Sequence, residues 1–192
     1  VVVVLCLLVF GPTVAQPGQE AHVGQILQVI TADPQHERTI AWKTKDLNSP
    51  GIIEIRPKGS ENVTRIAVRP TELPAGKGGN PAKLYSAHIS GLAPGSEYEY
   101  RLGVSKRQTA WRTFTTPTAS APFKALVFGD SQSTDYGEWA RTAQAAWQNH
   151  RDAAFFIIIG DLVDMGADTK QWDAWIDGAS DLLASVPVAP VM

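Results

Sequence analysis

Two apolar runs in the second half of the chain each end in a Gly-Asp pair. Residues 123–128 lead into Gly129-Asp130, and residues 153–159 lead into Gly160-Asp161. Runs of this length, rich in β-branched and aromatic residues and ended by glycine, are typical of strands buried on both faces of a sheet. The sequence of residues 136–151 predicts a helix between them. Strand, helix and strand together predict a βαβ unit with parallel strands.

Parallel neighbouring strands deliver both aspartates to one edge of the sheet, which is where open α/β sheets bind their ligands. Two carboxylates held close together repel each other unless a cation lies between them, and hard divalent ions take oxygen ligands. Asp130 and Asp161 therefore predict a metal site. The alternative is that each is an ordinary turn or helix-capping residue after its strand.

The two Gly-Asp segments resemble a known family. Gly129-Asp130-Ser131-Gln132 and Gly160-Asp161-Leu162-Val163-Asp164 resemble the first two sequence blocks of the calcineurin-like metallophosphoesterases, and in particular the purple acid phosphatase branch. The resemblance implies a pair of divalent or trivalent ions, with Fe, Mn or Zn as candidates. It also implies that Asp130 binds one ion and that Asp161 bridges both.

Two positions depart from the family pattern. Gln132 stands where the family has His or Gly. An amide oxygen can coordinate a hard ion, so Gln132 is a candidate ligand, and the alternative is a hydrogen-bonding loop residue. Asp164 stands where purple acid phosphatases have an iron-binding tyrosine, so the protein is not expected to be purple. We expect Asp164 to support the ligands or to cap a helix.

The resemblance also implies that the chain is part of a longer protein. In the family, a strand like residues 186–192 leads into a Gly-Asn-His block, so this block is expected beyond Met192. The proton donor for the leaving group is expected there too, and no catalytic residue other than the metal ligands is assigned within this sequence. The chain also begins at Val1 rather than at a methionine.

Charge is unevenly distributed along the chain. The sequence of 192 residues is 44% hydrophobic and 19% charged, which is ordinary for one large or two small globular domains. Residues 16–119 hold 13 basic and 9 acidic side chains, whereas residues 120–192 hold 4 and 10. The acidic part is the part with the predicted metal site. No basic run is present, so a nucleic-acid partner is not expected.

The N-terminal residues predict export. Residues 1–10 are apolar, Gly11-Pro12 interrupts them, and residues 1–15 therefore resemble the end of a secretory signal peptide cleaved after Ala15. The alternative is a buried N-terminal strand. Cys6 is the only cysteine, so a mature chain would contain no disulfide. A secreted, periplasmic or extracellular location follows, with no stable membrane insertion after cleavage.

Residues 22–116 contain short alternating runs separated by turn residues, which predicts a β-sandwich. The pattern around Leu92, Pro94-Gly95 and Tyr98 resembles the fibronectin type III fold, with Trp42 as the core tryptophan. The resemblance implies that the Tyr98 hydroxyl bonds to nearby backbone as a tyrosine corner. The sandwich is interpreted as a spacer beside the catalytic domain. The alternative is that its loops frame the substrate cleft or bind a surface polymer.

The order of the parts resembles plant-type and bacterial purple acid phosphatases. It predicts a partial signal peptide at 1–15, a fibronectin type III-like domain at 16–119 and the first part of an α/β metallophosphoesterase domain at 120–192. The implied function is metal-dependent hydrolysis of phosphate esters. One alternative is an exported binding or adhesion module with a degenerate, non-catalytic phosphoesterase domain. A hydrolase with an aspartyl nucleophile does not fit, because Asp-x-Asp is usual there and the sequence has Asp130-Ser131-Gln132.

Two tryptophan-rich stripes in the second half are predicted to be core rather than carbohydrate platforms. The first includes Trp139, Ala143, Ala146 and Trp147, and the second includes Trp172, Trp175, Ile176, Ala179, Leu182 and Leu183. Asp168-Thr169 is expected to open the helix of the second stripe. His22, His36 and His88 lack ligand spacing and are not expected to bind metal, and His150 is expected to cap the C-terminal end of the first helix.

Overall fold

The computed structural model describes residues 23–44, 50–75, 81–104, 107–120 and 122–190. The predicted signal peptide, Cys6 and His22 lie outside these residues. The strands are β1 (Val23–Val29), β2 (Arg38–Thr44), β3 (Gly51–Pro57), β4 (Thr64–Val68), β5 (Thr71–Leu73), β6 (Ala82–Ile89), β7 (Glu97–Val104), β8 (Arg107–Gln108), β9 (Arg112–Thr115), β10 (Lys124–Phe128), β11 (Ala153–Ile158) and β12 (Pro187–Pro190). The helices are α1 (Gly137–Asn149), α2 (Thr169–Gly178) and α3 (Ser180–Leu183).

The first nine strands form the predicted β-sandwich. One layer contains β1, β2, β6 and β5, and the other contains β4, β3 and β7, with β8 and β9 paired to β7. Trp42 is fully buried between the layers, and its ring stacks on Tyr85 with centroids 5.2 Å apart. The hydroxyl of Tyr98 accepts a hydrogen bond from the amide of Ala93 at 2.8 Å, so the predicted tyrosine corner is confirmed.

The second half has the predicted βαβ arrangement. β10, β11 and β12 are parallel, and Phe128 lies beside Ile158 across the first pair. Trp139, Ala143 and Trp147 of α1 are buried, as the first stripe predicts. Asp168 caps α2 by accepting from the amide of Lys170 at 2.9 Å. The helices give this half its own hydrophobic core.

Several details differ from the expectations. β10 is not buried on both faces, because the helices cover only the face that carries Leu126. On the other face Val127 is 59% exposed. β5 and β8 were not predicted, since three and two residues are too few to show alternation. The second stripe forms two helices, since the backbone leaves helical geometry at Ala179 (φ −108°, ψ 19°).

One sheet runs through both halves. β12 pairs in parallel with β1, and Gln28 lies beside Pro187. The strand order is therefore β10-β11-β12-β1-β2-β6-β5. The predicted boundary at residues 119 and 120 stays a prediction, but the sheet and its hydrogen bonds cross it. No helix among the described residues is long and apolar enough to span a membrane.

The two halves also share polar contacts, of which those to Ala184 are buried and those to Asp173 are partly exposed. The carbonyl oxygen of Ala184, at the end of α3, accepts from the Gln28 amide at 2.8 Å and from the Tyr100 hydroxyl at 2.6 Å. Asp173 of α2 accepts from Lys43 at 2.6 Å and from Gln25 at 2.8 Å. Because Gln28 and Tyr100 are fully buried, these bonds fix the position of the helices against the sandwich.

Tyr100 is expected to make stability depend on alkaline pH. Burial raises the pKa of Tyr100 above its ordinary value of 10. Its contribution is therefore fully present below pH 10 and is lost as the pH rises, because only the unfolded chain then loses the proton. In urea titrations at pH 8 to 11, the Tyr100→Phe variant should start about 1 kcal/mol less stable. Above pH 10 the wild-type protein should lose this advantage, and a constant difference would contradict the prediction.

Candidate metal centre

The candidate site is built from the two loops that follow β10 and β11. The strands are in register up to Phe128 and Ile158, and the amide of Ile159 still donates to the carbonyl of Phe128 at 3.0 Å. The next residues, Gly129-Asp130 and Gly160-Asp161, leave the sheet side by side. The structure therefore brings both predicted aspartates to the same edge, as parallel pairing requires.

Backbone hydrogen bonds hold the first loop against the second. The amides of Ser131 and Gln132 both donate to the carbonyl oxygen of Asp161, at 2.9 and 3.0 Å. Two donors on one acceptor fix the chain direction on both sides of the contact. The side chains of Asp130, Gln132 and Asp161 consequently start from a shared backbone frame rather than from independent loops.

Gly160 is where the two loops approach most closely. A side chain at this position would overlap the Asp130 carboxylate, since a Cβ would lie 2.7 Å from its Cγ and 3.0 Å from its backbone nitrogen. Asp130 therefore lies directly against the residue that precedes Asp161. The need for glycine here is close approach between chains rather than an unusual backbone torsion.

Gln132 reaches the second aspartate through its side chain. Its amide nitrogen donates to Oδ2 of Asp161 at 3.4 Å, which is a long hydrogen bond. Its amide oxygen is buried and has no hydrogen-bond partner among the described residues. A buried carbonyl oxygen without a partner is unfavourable, and a cation would supply one. The unpartnered oxygen of Gln132 is therefore consistent with a metal ion at this site.

The described residues supply part of a metal centre. Among them, no group of three or more His, Cys, Asp and Glu side chains is placed to hold an ion. The structure brings together Asp130 and Asp161, with Gln132 beside them. His36 bonds to Asp33 in the sandwich, and His150 forms the C-terminal cap of α1. Neither histidine belongs to the candidate site.

Asp164 does not cap a helix, because Asp168 has that role in α2. Asp164 is exposed and lies near Tyr136, at the start of α1. Burial of the phenol raises the pKa of Tyr136, and the negative charge of Asp164 raises it further. Tyr136 therefore remains a neutral phenol at physiological pH, next to the loop that carries Asp161.

Sequence reasoning missed the support behind the first loop. The indole nitrogen of Trp175 donates to the Ser131 hydroxyl at 2.8 Å, and Trp175 is only 4% exposed. Trp139 stacks on Trp175 with centroids 5.3 Å apart and donates to its carbonyl at 2.9 Å. The core interpretation of both tryptophans is confirmed. The periodicity that predicts a buried tryptophan carries no signal for which loop its N–H group contacts.

Comparison with known proteins gives one family and several solved structures. Residues 23–116 match the family described as purple acid phosphatase, N-terminal domain. The purple acid phosphatase PPD1 from yellow lupin (Lupinus luteus) seeds superposes with a TM-score of 0.77 at 18% identity, over 89% of this chain. PhoD superposes with a TM-score of 0.60 at 10% identity, over 92% of this chain. No curated protein matches the sequence.

These superpositions include the α/β half as well as the sandwich. The covered shares, 89% and 92%, exceed the part of the chain that the family match occupies. At 18% and 10% identity they establish a common fold. The chain spans 35% of the length of the lupin protein and 40% of that of PhoD.

Proposed function

We propose that this purple acid phosphatase-like protein hydrolyses phosphate esters, because residues 23–116 match the purple acid phosphatase N-terminal domain and the whole chain resembles the lupin phosphatase in fold. The proposal assigns residues 16–119 to the N-terminal domain and residues 120–192 to the first part of a metallophosphoesterase domain. Export through the apolar N-terminal segment is part of the same proposal.

The observation that supports this function most strongly is that the two Gly-Asp loops are hydrogen-bonded to each other and packed together. Asp161 receives two backbone donors from the first loop, and Asp130 lies against Gly160. Two aspartates at adjacent strand ends, in loops that contact each other, can offer carboxylate oxygens to a shared cation. Ordinary turn or capping aspartates would not need a shared backbone frame.

Each side chain has a separate role in the proposal. Asp161 would bridge two ions, and Asp130 would hold one of them. The Gln132 amide oxygen would be a further ligand of the ion that Asp130 holds. A bound ion pair supplies an activated water near neutral pH and stabilises charge on the phosphate. Two carboxylates and one amide are too few donors for two ions, so the remaining ligands would come from outside the described residues.

The sandwich has a structural role in this arrangement. Its strand β1 pairs with β12, and Gln28 and Tyr100 bond to the end of α3. These contacts favour the spacer interpretation, in which the N-terminal domain fixes the position of the catalytic sheet. A polymer-binding role draws no support from any described contact.

The decisive experiment measures metal content and hydrolysis in the full-length protein. After loading with metal, the wild type should hold two ions per chain and cleave p-nitrophenyl phosphate or its bis-ester. Asp161→Asn should lose both ions and reduce turnover at least 100-fold, because a bridging ligand serves both positions. Asp152→Asn is the matched control, since Asp152 is exposed at the opposite end of β11 and pairs with Lys124.

Two results would contradict the proposal. One is an Asp161→Asn variant with wild-type activity. The other is a folded wild-type protein that binds no metal under any loading condition, which would favour the alternative of an exported binding module with a non-catalytic α/β half.

A further inference from the structure

We propose that Gln132, as an oxygen donor, shifts the preference of the ion position between Asp130 and Asp161 toward hard divalent ions such as Mn²⁺ and Mg²⁺ and away from Zn²⁺, relative to a nitrogen donor at that position. This inference rests on the proposed function, because it concerns the metal centre assigned there. It adds the class of ion at one position and the residue that determines it.

The donor atoms at this edge are all oxygens. Asp130 and Asp161 offer carboxylates, and Gln132 offers an amide oxygen. Carboxylate and carbonyl ligands suit Mg²⁺ and Mn²⁺, whereas imidazole and thiolate favour Zn²⁺. Among the described residues no cysteine occurs. His36 and His88 bond within the sandwich, and His150 lies at the far end of α1.

The placement of Gln132 favours a ligand over a simple hydrogen-bonding residue. Its backbone amide donates to the Asp161 carbonyl at 3.0 Å, which holds the start of its side chain beside the second loop. Its amide nitrogen is the atom that faces Oδ2 of Asp161, at 3.4 Å, so a half-turn of the amide group would bring the oxygen to that position. That oxygen is buried without a partner. An ion bound by Asp161 would give the rotated amide oxygen a partner.

Charge bears on the divalent class of the ion and not on the choice among divalent ions. The neutral amide of Gln132 leaves two carboxylates among these three side chains. Such a set matches a divalent ion better than a trivalent one. Glutamine also offers a single hard oxygen for coordination, because its amide nitrogen has no free lone pair.

The test compares Mn²⁺ and Zn²⁺ binding by the metal-free, full-length protein. Dissociation constants come from competition with a chromophoric chelator, and the electron paramagnetic resonance signal of Mn²⁺ gives an independent readout. Gln132→His introduces a nitrogen donor and should raise the preference for Zn²⁺ over Mn²⁺ by about tenfold or more. Gln132→Glu keeps an oxygen donor and should leave that preference within about threefold of the wild type.

Gln148→His is the matched control, because Gln148 is exposed on α1 and should change neither constant. If Gln132→His and Gln132→Glu show the same metal preference as the wild type while both ions still bind, the selectivity inference is wrong and the proposed function survives. If the folded wild type binds neither ion, both are wrong. Should the histidine variant fail to fold, Gln132→Ala decides the question, since it should weaken Mn²⁺ binding about tenfold.

Discussion

Replacing Gly160 with alanine should lower the affinity for divalent ions by about 100-fold while the fold stays intact. The new methyl group would occupy the space that the Asp130 carboxylate fills, 2.7 Å from its Cγ. The carboxylate is the end of a side chain and can rotate away. The backbone nitrogen of Asp130, 3.0 Å from the new methyl group, must also shift slightly, so some folding free energy is lost as well. Rotation of the carboxylate removes one ligand from the edge of the sheet, and ion binding is lost for that reason.

Gly129→Ala provides the matched control for this variant. It lies in the other loop, and a Cβ at Gly129 would have no neighbour within 4 Å. Both variants are measured by calorimetric titration with Mn²⁺ and by thermal unfolding in the absence of metal. Gly129→Ala should bind like the wild type. Wild-type affinity in Gly160→Ala would show that Asp130 does not hold an ion from this position.

Replacing Trp175 with alanine should cost about 3–5 kcal/mol of folding free energy, which is the range for a large buried aromatic side chain. Trp175 packs in the core of the α/β half and stacks on Trp139. Trp175→Phe keeps most of this packing but removes the donor to the Ser131 hydroxyl. It should cost less stability and still weaken metal binding, because Ser131 lies between Asp130 and Gln132.

Variants of Trp172 serve as controls that separate the loss of core packing from the loss of the hydrogen bond to Ser131. Trp172 is one turn earlier in α2, is only half-buried and donates to the carbonyl of Gly166 at 2.9 Å. Urea titration should give a smaller loss for Trp172→Ala than for Trp175→Ala. Trp172→Phe should leave metal affinity unchanged. Equal effects of Trp172→Phe and Trp175→Phe on metal binding would mean that the indole bond to Ser131 has no positioning role.

The sequence predicts the elements of the fold well where local patterns are strong. Long apolar runs predict β10 and β11, helical periodicity predicts α1, and turn residues with a tyrosine predict the corner at Tyr98. β5 and β8 are too short to leave such a pattern. The exposed face of β10 was also not predicted from the sequence, because apolar composition does not indicate whether another layer covers a strand.

The candidate site also has features that the sequence predicts and features that it does not. Asp130, Gln132 and Asp161 follow from the sequence, because Gly-Asp at two strand ends and parallel pairing place them at one edge. The double donation to the Asp161 carbonyl, the contact of Asp130 with Gly160 and the bond from Trp175 to Ser131 do not. These contacts join residues about 30 to 45 positions apart, and local periodicity carries no information on such pairs.

Residue type and spacing alone thus determined which segments become strands and helices and which side chains can carry metal chemistry, because these depend on near neighbours in the chain. Only the tertiary structure decided that β1 pairs with β12, so that both halves share one sheet. It also decided which atoms of the site have a hydrogen-bond partner and which buried atoms have none among the described residues. The physical reason is that strand pairing and burial are settled by contacts between distant segments, which compete in three dimensions.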